Sequence, residues 1–230
     1  MSALTLEFQS VTVRYERSGT PVLTDVTFTA AAGERIALVG LNGSGKTTLL
    51  MTAAGLVPHD GRIVIDGELV ASKSLAAIRD RIGVLFNVPE DQLLFPRVID
   101  DVAFGALHRG RSLTEALTAA RQTLETLDVS HLADSPLHHL SHGQKLRVAL
   151  AGALVAGPSL LLLDEPSAGL DPPGNRALAA VLRSQPAAML IATHDLDFAE
   201  RVCTRFLLLQ AGRIVLDGTE AAEIRQRWGL

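Results

Sequence analysis

The octapeptide Gly40-Leu41-Asn42-Gly43-Ser44-Gly45-Lys46-Thr47 constrains this chain more than any other feature. It satisfies the phosphate-loop pattern G-x-x-x-x-G-K-[ST]. Its glycines let backbone N–H groups turn toward a polyphosphate, and the positive end of a helix starting at Lys46 adds to the attraction. Lys46 is placed to reach the β- and γ-phosphates, and the Thr47 hydroxyl to coordinate Mg²⁺. Arg35–Val39 reads as a short buried strand. Lys46–Ala54 reads as a helix, stopped by Gly55 and followed by Pro58. Strand, glycine-rich turn and helix in that order predict a nucleoside triphosphate site in an α/β fold.

Residues 4–15 and Val22–Ala30 alternate like strands, and Gly61–Asp66 with Leu69–Ala71 predicts a hairpin around Asp66-Gly67. From Asp100 the texture becomes helical, with Leu113–Leu127 and Gln144–Ala156 as helices. Strand-like sequence returns at Ser159–Leu163, Ala188–Ala192, Arg205–Leu209 and Arg213–Leu216. The expected organisation is one domain over 1–230. Its nucleotide-binding core is 1–85 and 158–230, with an antiparallel β portion at the N-terminal end, and 86–157 forms a helical subdomain.

A second chemical signal is Leu160-Leu161-Leu162-Leu163-Asp164-Glu165-Pro166. Four apolar residues ending in two acids predict a buried strand that delivers carboxylates to its C-terminal edge, where α/β sheets bind ligands. Alone, such a pair is an ordinary strand end; after a phosphate loop, Asp164 would hold the water shell of Mg²⁺ and Glu165 would polarise the attacking water. The third signal is Leu140-Ser141-His142-Gly143-Gln144, which opens a helix 23 residues before Asp164 if counted from Ser141. By itself Ser141 is an ordinary N-cap. In this order and spacing the sequence resembles ABC ATPases, whose signature motif is Leu-Ser-Gly-Gly-Gln. Ser167-Ala168-Gly169-Leu170-Asp171 is similar to the family's D-loop, His194 in Ala192-Thr193-His194-Asp195 to its switch histidine, and Tyr15 to its adenine-stacking aromatic.

The resemblance covers essentially the whole chain and implies a P-loop NTPase of the ABC ATPase fold, an Mg²⁺-dependent ATPase that works in pairs. It implies ATP contacts from Tyr15, Gly40, Asn42, Gly43, Ser44, Gly45, Lys46, Thr47 and Thr48. Ser141, His142, Gly143, Gln144 and Asp171 would face the ATP held by a second copy, in a homodimer or a heterodimer with a related ATPase. Catalysis would rest on Glu165, His194, Lys46 and Asn87, and Mg²⁺ on Thr47, Asp164 and Asn87. Two departures stand out: His142 replaces the second glycine of the signature, and Asn87 stands where the family has the Q-loop glutamine, shorter by roughly 1.5 Å.

Phe86-Asn87-Val88-Pro89-Glu90-Asp91-Gln92-Leu93 resembles the corresponding segment of energy-coupling factor (ECF) ATPases, which drive cobalt, nickel and vitamin uptake. The implied partners are a transmembrane coupling subunit, whose helices this region would receive, and a substrate-binding membrane subunit. The Gln92-Leu93-Leu94-Phe95-Pro96 context associates the chain with cobalt or nickel, with vitamins such as biotin as the alternative. An exporter or another importer class is the rival within the family.

Composition excludes some classes. A net charge of −4 with no Lys/Arg block argues against a nucleic-acid partner, whose affinity would come from neutralised phosphates. The lone Cys203 forms no internal disulfide and fits a reducing compartment. With neither a signal-peptide pattern nor an apolar run of ~20 residues, the expectation is a cytoplasmic protein, peripheral on the inner face of the membrane. His138 and His139 read as a polar loop rather than a metal-cargo site.

Overall fold

The computed structural model describes residues 4–15 and 19–228. In chain order the first half comprises β1 (Leu4–Val13), β2 (Leu23–Ala31), β3 (Arg35–Val39), α1 (Lys46–Ala53), β4 (Asp60–Ile65), β5 (Glu68–Leu69), α2 (Leu75–Arg79) and β6 (Ile82–Leu85). Helices α3 (Val98–His108), α4 (Leu113–Thr126) and α5 (His142–Leu154) follow. The remainder is β7 (Leu160–Asp164), α6 (Pro172–Ser184), β8 (Ala188–Thr193), α7 (Leu196–Val202), β9 (Arg205–Gln210), β10 (Arg213–Gly218) and α8 (Ala221–Trp228).

Two sheets result. An antiparallel one has the order β2-β1-β4-β5, and a six-stranded one the order β10-β9-β3-β8-β7-β6. Within the second, β9, β3, β8, β7 and β6 run parallel, and β10 pairs antiparallel with β9. Parallel strands covered on both faces need apolar side chains at every position. Leu160, Leu161, Leu162 and Leu163 are accordingly all 0% exposed. Their period of two sends them to different cores. Leu160 and Leu162 join Ile36, Leu38, Leu49 and the inner face of β1, β2 and β4. Leu161 and Leu163 join Ala37, Val39 and the helices α3 to α7 on the other side. Each fully buried leucine contributes about 1.5–3 kcal/mol over an exposed one.

The predicted hairpin forms at Asp66-Gly67 between β4 and β5. Helix α5 begins at His142, earlier than its apolar periodicity announces, because Ser141 caps it. Ser141 N donates to Gln144 Oε1 (2.9 Å) and Gln144 N to Ser141 Oγ (3.4 Å), a reciprocal capping box. Helix α6 begins on Pro172-Pro173-Gly174, where proline suits the first helical turn because its missing N–H costs nothing there. No helix among the described residues is long and apolar enough to cross a membrane.

Candidate active site

Strand register assembles the site. Val39 of β3 lies beside Thr193 of β8, Asp164 of β7 beside Ala192, and Leu85 of β6 beside Leu163. The four strands therefore end within two positions of one another, and the residues that follow them share one edge: Gly40, Glu165, His194 and, two positions beyond Leu85, Asn87. A cleft of about 460 Å³ opens there, lined by Asn42, Gly43, Gly45, Lys46, Thr47, Thr48, Asn87, Asp164, Glu165 and His194, with Val22 and Ala168.

The phosphate loop reaches this edge by a turn that only glycine accommodates at its end. Gly45 has φ 108°, and a Cβ there would stand 2.8 Å from Leu23 Cδ2. Lys46 follows at the first position of α1, and its Nζ donates to the carbonyls of Gly40 (2.8 Å) and Leu41 (3.4 Å). The ammonium thus lies folded over the loop that would hold the phosphates. Ser44 Oγ is buried and has no hydrogen-bond partner among the described residues.

Thr47 Oγ1 donates to Asp164 Oδ2 at 2.6 Å, joining residues 117 positions apart. Burial pushes the Asp164 carboxyl above its ordinary range; the Thr47 hydrogen bond and the Lys46 charge oppose this, and the Glu165 charge adds to it. Two adjacent oxygen donors suit a hard cation such as Mg²⁺, which takes one or two protein ligands and completes its shell with water and phosphate. No cluster of three or more His, Cys, Asp or Glu that could hold a metal by itself occurs among the described residues. The paired Thr47 and Asp164 oxygens fit such an ion.

Glu165 sits in the left-handed region at φ 48°, which for a residue with a side chain costs of order 1–3 kcal/mol. Three groups hold its carboxylate. Thr193 Oγ1 donates to Oε2 (3.0 Å), His194 N donates to Oε2 (3.4 Å), and His194 Nδ1 lies 2.9 Å from Oε1. Thr193 in turn accepts from Asp195 N at 3.0 Å, and Asp195 caps α7 through Phe198 N. Thr193 is the anchor that sequence reasoning missed; its only signal is its place directly before His194.

Asn87 lines the cleft, whereas Gln92 does not. The Gln92 amide is used inside the protein, where Oε1 accepts from Phe86 N (2.8 Å) and Nε2 donates to the Val84 and Ala149 carbonyls (both 3.4 Å). Tyr15 stands outside the lining residues, half exposed, with its hydroxyl 3.4 Å from Thr48 Oγ1. Ser141, His142, Gly143, Gln144 and Asp171 are likewise absent from the cleft. They form a separate surface at the start of α5 and α6, where Asp171 Oδ1 accepts from Gly174 N (2.8 Å) and Gly143 approaches Leu170. The His142 ring rests on Gly169, where an added Cβ would lie 2.9 Å from His142 Cδ2.

A phosphate loop on a parallel sheet, with a second sheet against it and a helical block between β6 and β7, defines a P-loop ATPase of the ATP-binding-cassette type. The sequence matches the ABC transporter family over residues 23–168. A putative ABC transporter ATP-binding protein of Gloeobacter violaceus is 44% identical over 203 residues, spanning 87% of this chain and 83% of the relative. The energy-coupling factor transporter ATP-binding protein EcfA of Methanosphaera stadtmanae is 39% identical over 220 residues, 93% of this chain and 79% of the relative. Among solved structures, cbiO1 of Clostridium perfringens, described as part of the ABC transporter complex cbiONQ, is similar with a TM-score of 0.86 and 33% identity, covering 98% of this chain and 92% of that one. A dimeric bacterial ABC transporter cassette is similar with a TM-score of 0.85 and 25% identity, covering 93% and 98%. This chain belongs to the ABC transporter family as an ATP-binding subunit, and it is an ATPase.

Proposed function

We propose that this chain powers an ECF-type membrane importer as one of two ATPase subunits that close on ATP. The observation that carries the ATPase chemistry is the convergence of Lys46, Thr47, Asp164, Glu165 and His194 on one cleft. The likeness to cbiO1 and to EcfA, together with the Phe86–Leu93 segment, supports the ECF class.

In this reading Lys46 swings from the Gly40 carbonyl to the β- and γ-phosphates. Thr47, Asp164 and Asn87 would hold Mg²⁺, which would supply positive charge against the phosphate oxygens. Glu165 takes a proton from the attacking water, and His194 fixes the direction of that carboxylate while its own exposed ring reaches toward the γ-phosphate. Tyr15 stacks on adenine through its ring face. Ser141, Gly143 and their neighbours serve the ATP of the second copy, consistent with their position outside the cleft. In the dimeric cassette whose fold this chain shares, two copies do associate.

A second cleft of about 270 Å³, between β6 and α3/α5, is lined by Gln92, Phe95, Phe104, His108, Arg109 and Ala149 among others. Leu94, 74% exposed, and the half-exposed Phe104 give it an apolar rim. This is the surface we assign to the transmembrane coupling subunit. Cobalt or nickel is the cargo we favour, from the likeness of residues 92–96 to cobalt and nickel systems. The experiment is affinity purification of the tagged chain from its native membranes, with mass spectrometry of what accompanies it. Recovery of a coupling protein and a small substrate-binding membrane protein is expected, and a metal-binding rather than a vitamin-binding one would set the cargo. A pair of large multispan permeases, or DNA-associated proteins, would overturn the ECF assignment.

A further inference from the structure

Glu90 stands in the short 3₁₀ turn Pro89–Asp91, immediately before the docking cleft, yet its carboxylate is committed elsewhere. Oε1 lies 3.1 Å from Lys145 Nζ and 3.9 Å from His142 Nδ1. Both partners belong to the first turn of α5, the turn whose backbone N–H groups and positive dipole end would meet the γ-phosphate of the opposing copy. The His142 ring also lies close to Gly169, where an added Cβ would stand 2.9 Å from Cδ2.

We propose that Glu90 is an electrostatic brake on ATP-driven pairing. Its negative charge occupies the cationic side of the signature turn and opposes the approach of a polyphosphate. The brake rests on the pairing proposed above and belongs to the isolated subunit. At a separation of several ångström in a wet crevice, one carboxylate weakens a phosphate contact about threefold. Each closed pair contains two such contacts, so its dissociation constant shifts roughly tenfold.

The test is the dissociation constant of the pair formed with a non-hydrolysable ATP analogue and Mg²⁺, measured by analytical ultracentrifugation for the wild type, Glu90→Gln and Glu90→Asp. Glu90→Gln is expected to pair about tenfold more tightly, with unaltered thermal unfolding, and Glu90→Asp to stay near the wild type. Because the effect is one of charge in an exposed place, the gap closes toward ~0.5 M salt, where the Debye length falls to a few ångström. A purely structural role for the turn would instead weaken pairing in Glu90→Gln at every salt concentration. Equal or weaker pairing in that variant, or a gap that persists at high salt, overturns the brake and leaves the importer reading intact. Absence of nucleotide-dependent pairing in all three proteins overturns the pairing reading and the brake with it.

Discussion

His194 Nδ1 lies 2.9 Å from Glu165 Oε1, and the backbone N–H of the same histidine donates to Oε2 at 3.4 Å. One residue thereby addresses both oxygens of the carboxylate that would act as general base, and Thr193 Oγ1 completes the grip. Removing the base should lower kcat by ~10²–10⁴. Glu165→Gln and His194→Ala should each be severe. The double variant should be little worse than Glu165→Gln, because groups acting as a unit are not additive. Steady-state ATPase assays of the three proteins decide it; independent, multiplying losses would separate the two residues' roles.

The 2.6 Å contact between Thr47 Oγ1 and Asp164 Oδ2 predicts a shared cation site. Thr47→Ala and Asp164→Asn should raise the Mg²⁺ concentration needed for half-maximal ATPase by about tenfold or more, the scale of loss when a group supporting a metal site is removed. Titration of Mg²⁺ at fixed ATP is the measurement. An unchanged half-saturation in both variants would remove these residues from the metal.

Much of this was legible in the primary structure because the local chemistry is unforgiving. A buried parallel strand must be apolar, so Leu160–Leu163 announces β7, and the glycine spacing of residues 40–45 leaves few other uses for that loop. Less visible were features set by contacts distant in sequence. Helix α6 hides behind Pro172-Pro173-Gly174. The internal use of the Gln92 amide, on Phe86, Val84 and Ala149, depends on how β6 and α5 meet. The departure from glycine at His142 is obvious from sequence, but its packing on Gly169 and its approach to Glu90 depend on how α5, the 89–91 turn and the 165–171 loop meet.

Asn87 lines the cleft despite its short side chain. A catalytic contact displaced by ~1 Å can lose about a hundredfold in rate, so Asn87→Ala should reduce kcat by at least tenfold while leaving thermal unfolding unchanged. If basal and transporter-coupled ATPase were both unaffected, no role in the cleft would remain for this amide.

Gly169 has φ 72°, and the place of its missing Cβ is 2.9 Å from His142 Cδ2. Gly169→Ala should therefore cost about 1–3 kcal/mol of stability from backbone strain and from displacement of the ring. In a His142→Gly background part of that cost should vanish, which a double-mutant cycle in urea would register as a coupling of at least ~0.5 kcal/mol. Strict additivity would mean that the ring and the loop do not constrain each other.

The direct test of the account as a whole is the association state of Glu165→Gln with ATP and Mg²⁺, measured by sedimentation and by counting bound nucleotide. A stable pair retaining two ATP molecules, while the wild type turns over and separates, is the predicted result. A Glu165→Gln protein that hydrolyses ATP at the wild-type rate, or that binds ATP and stays monomeric, would contradict it.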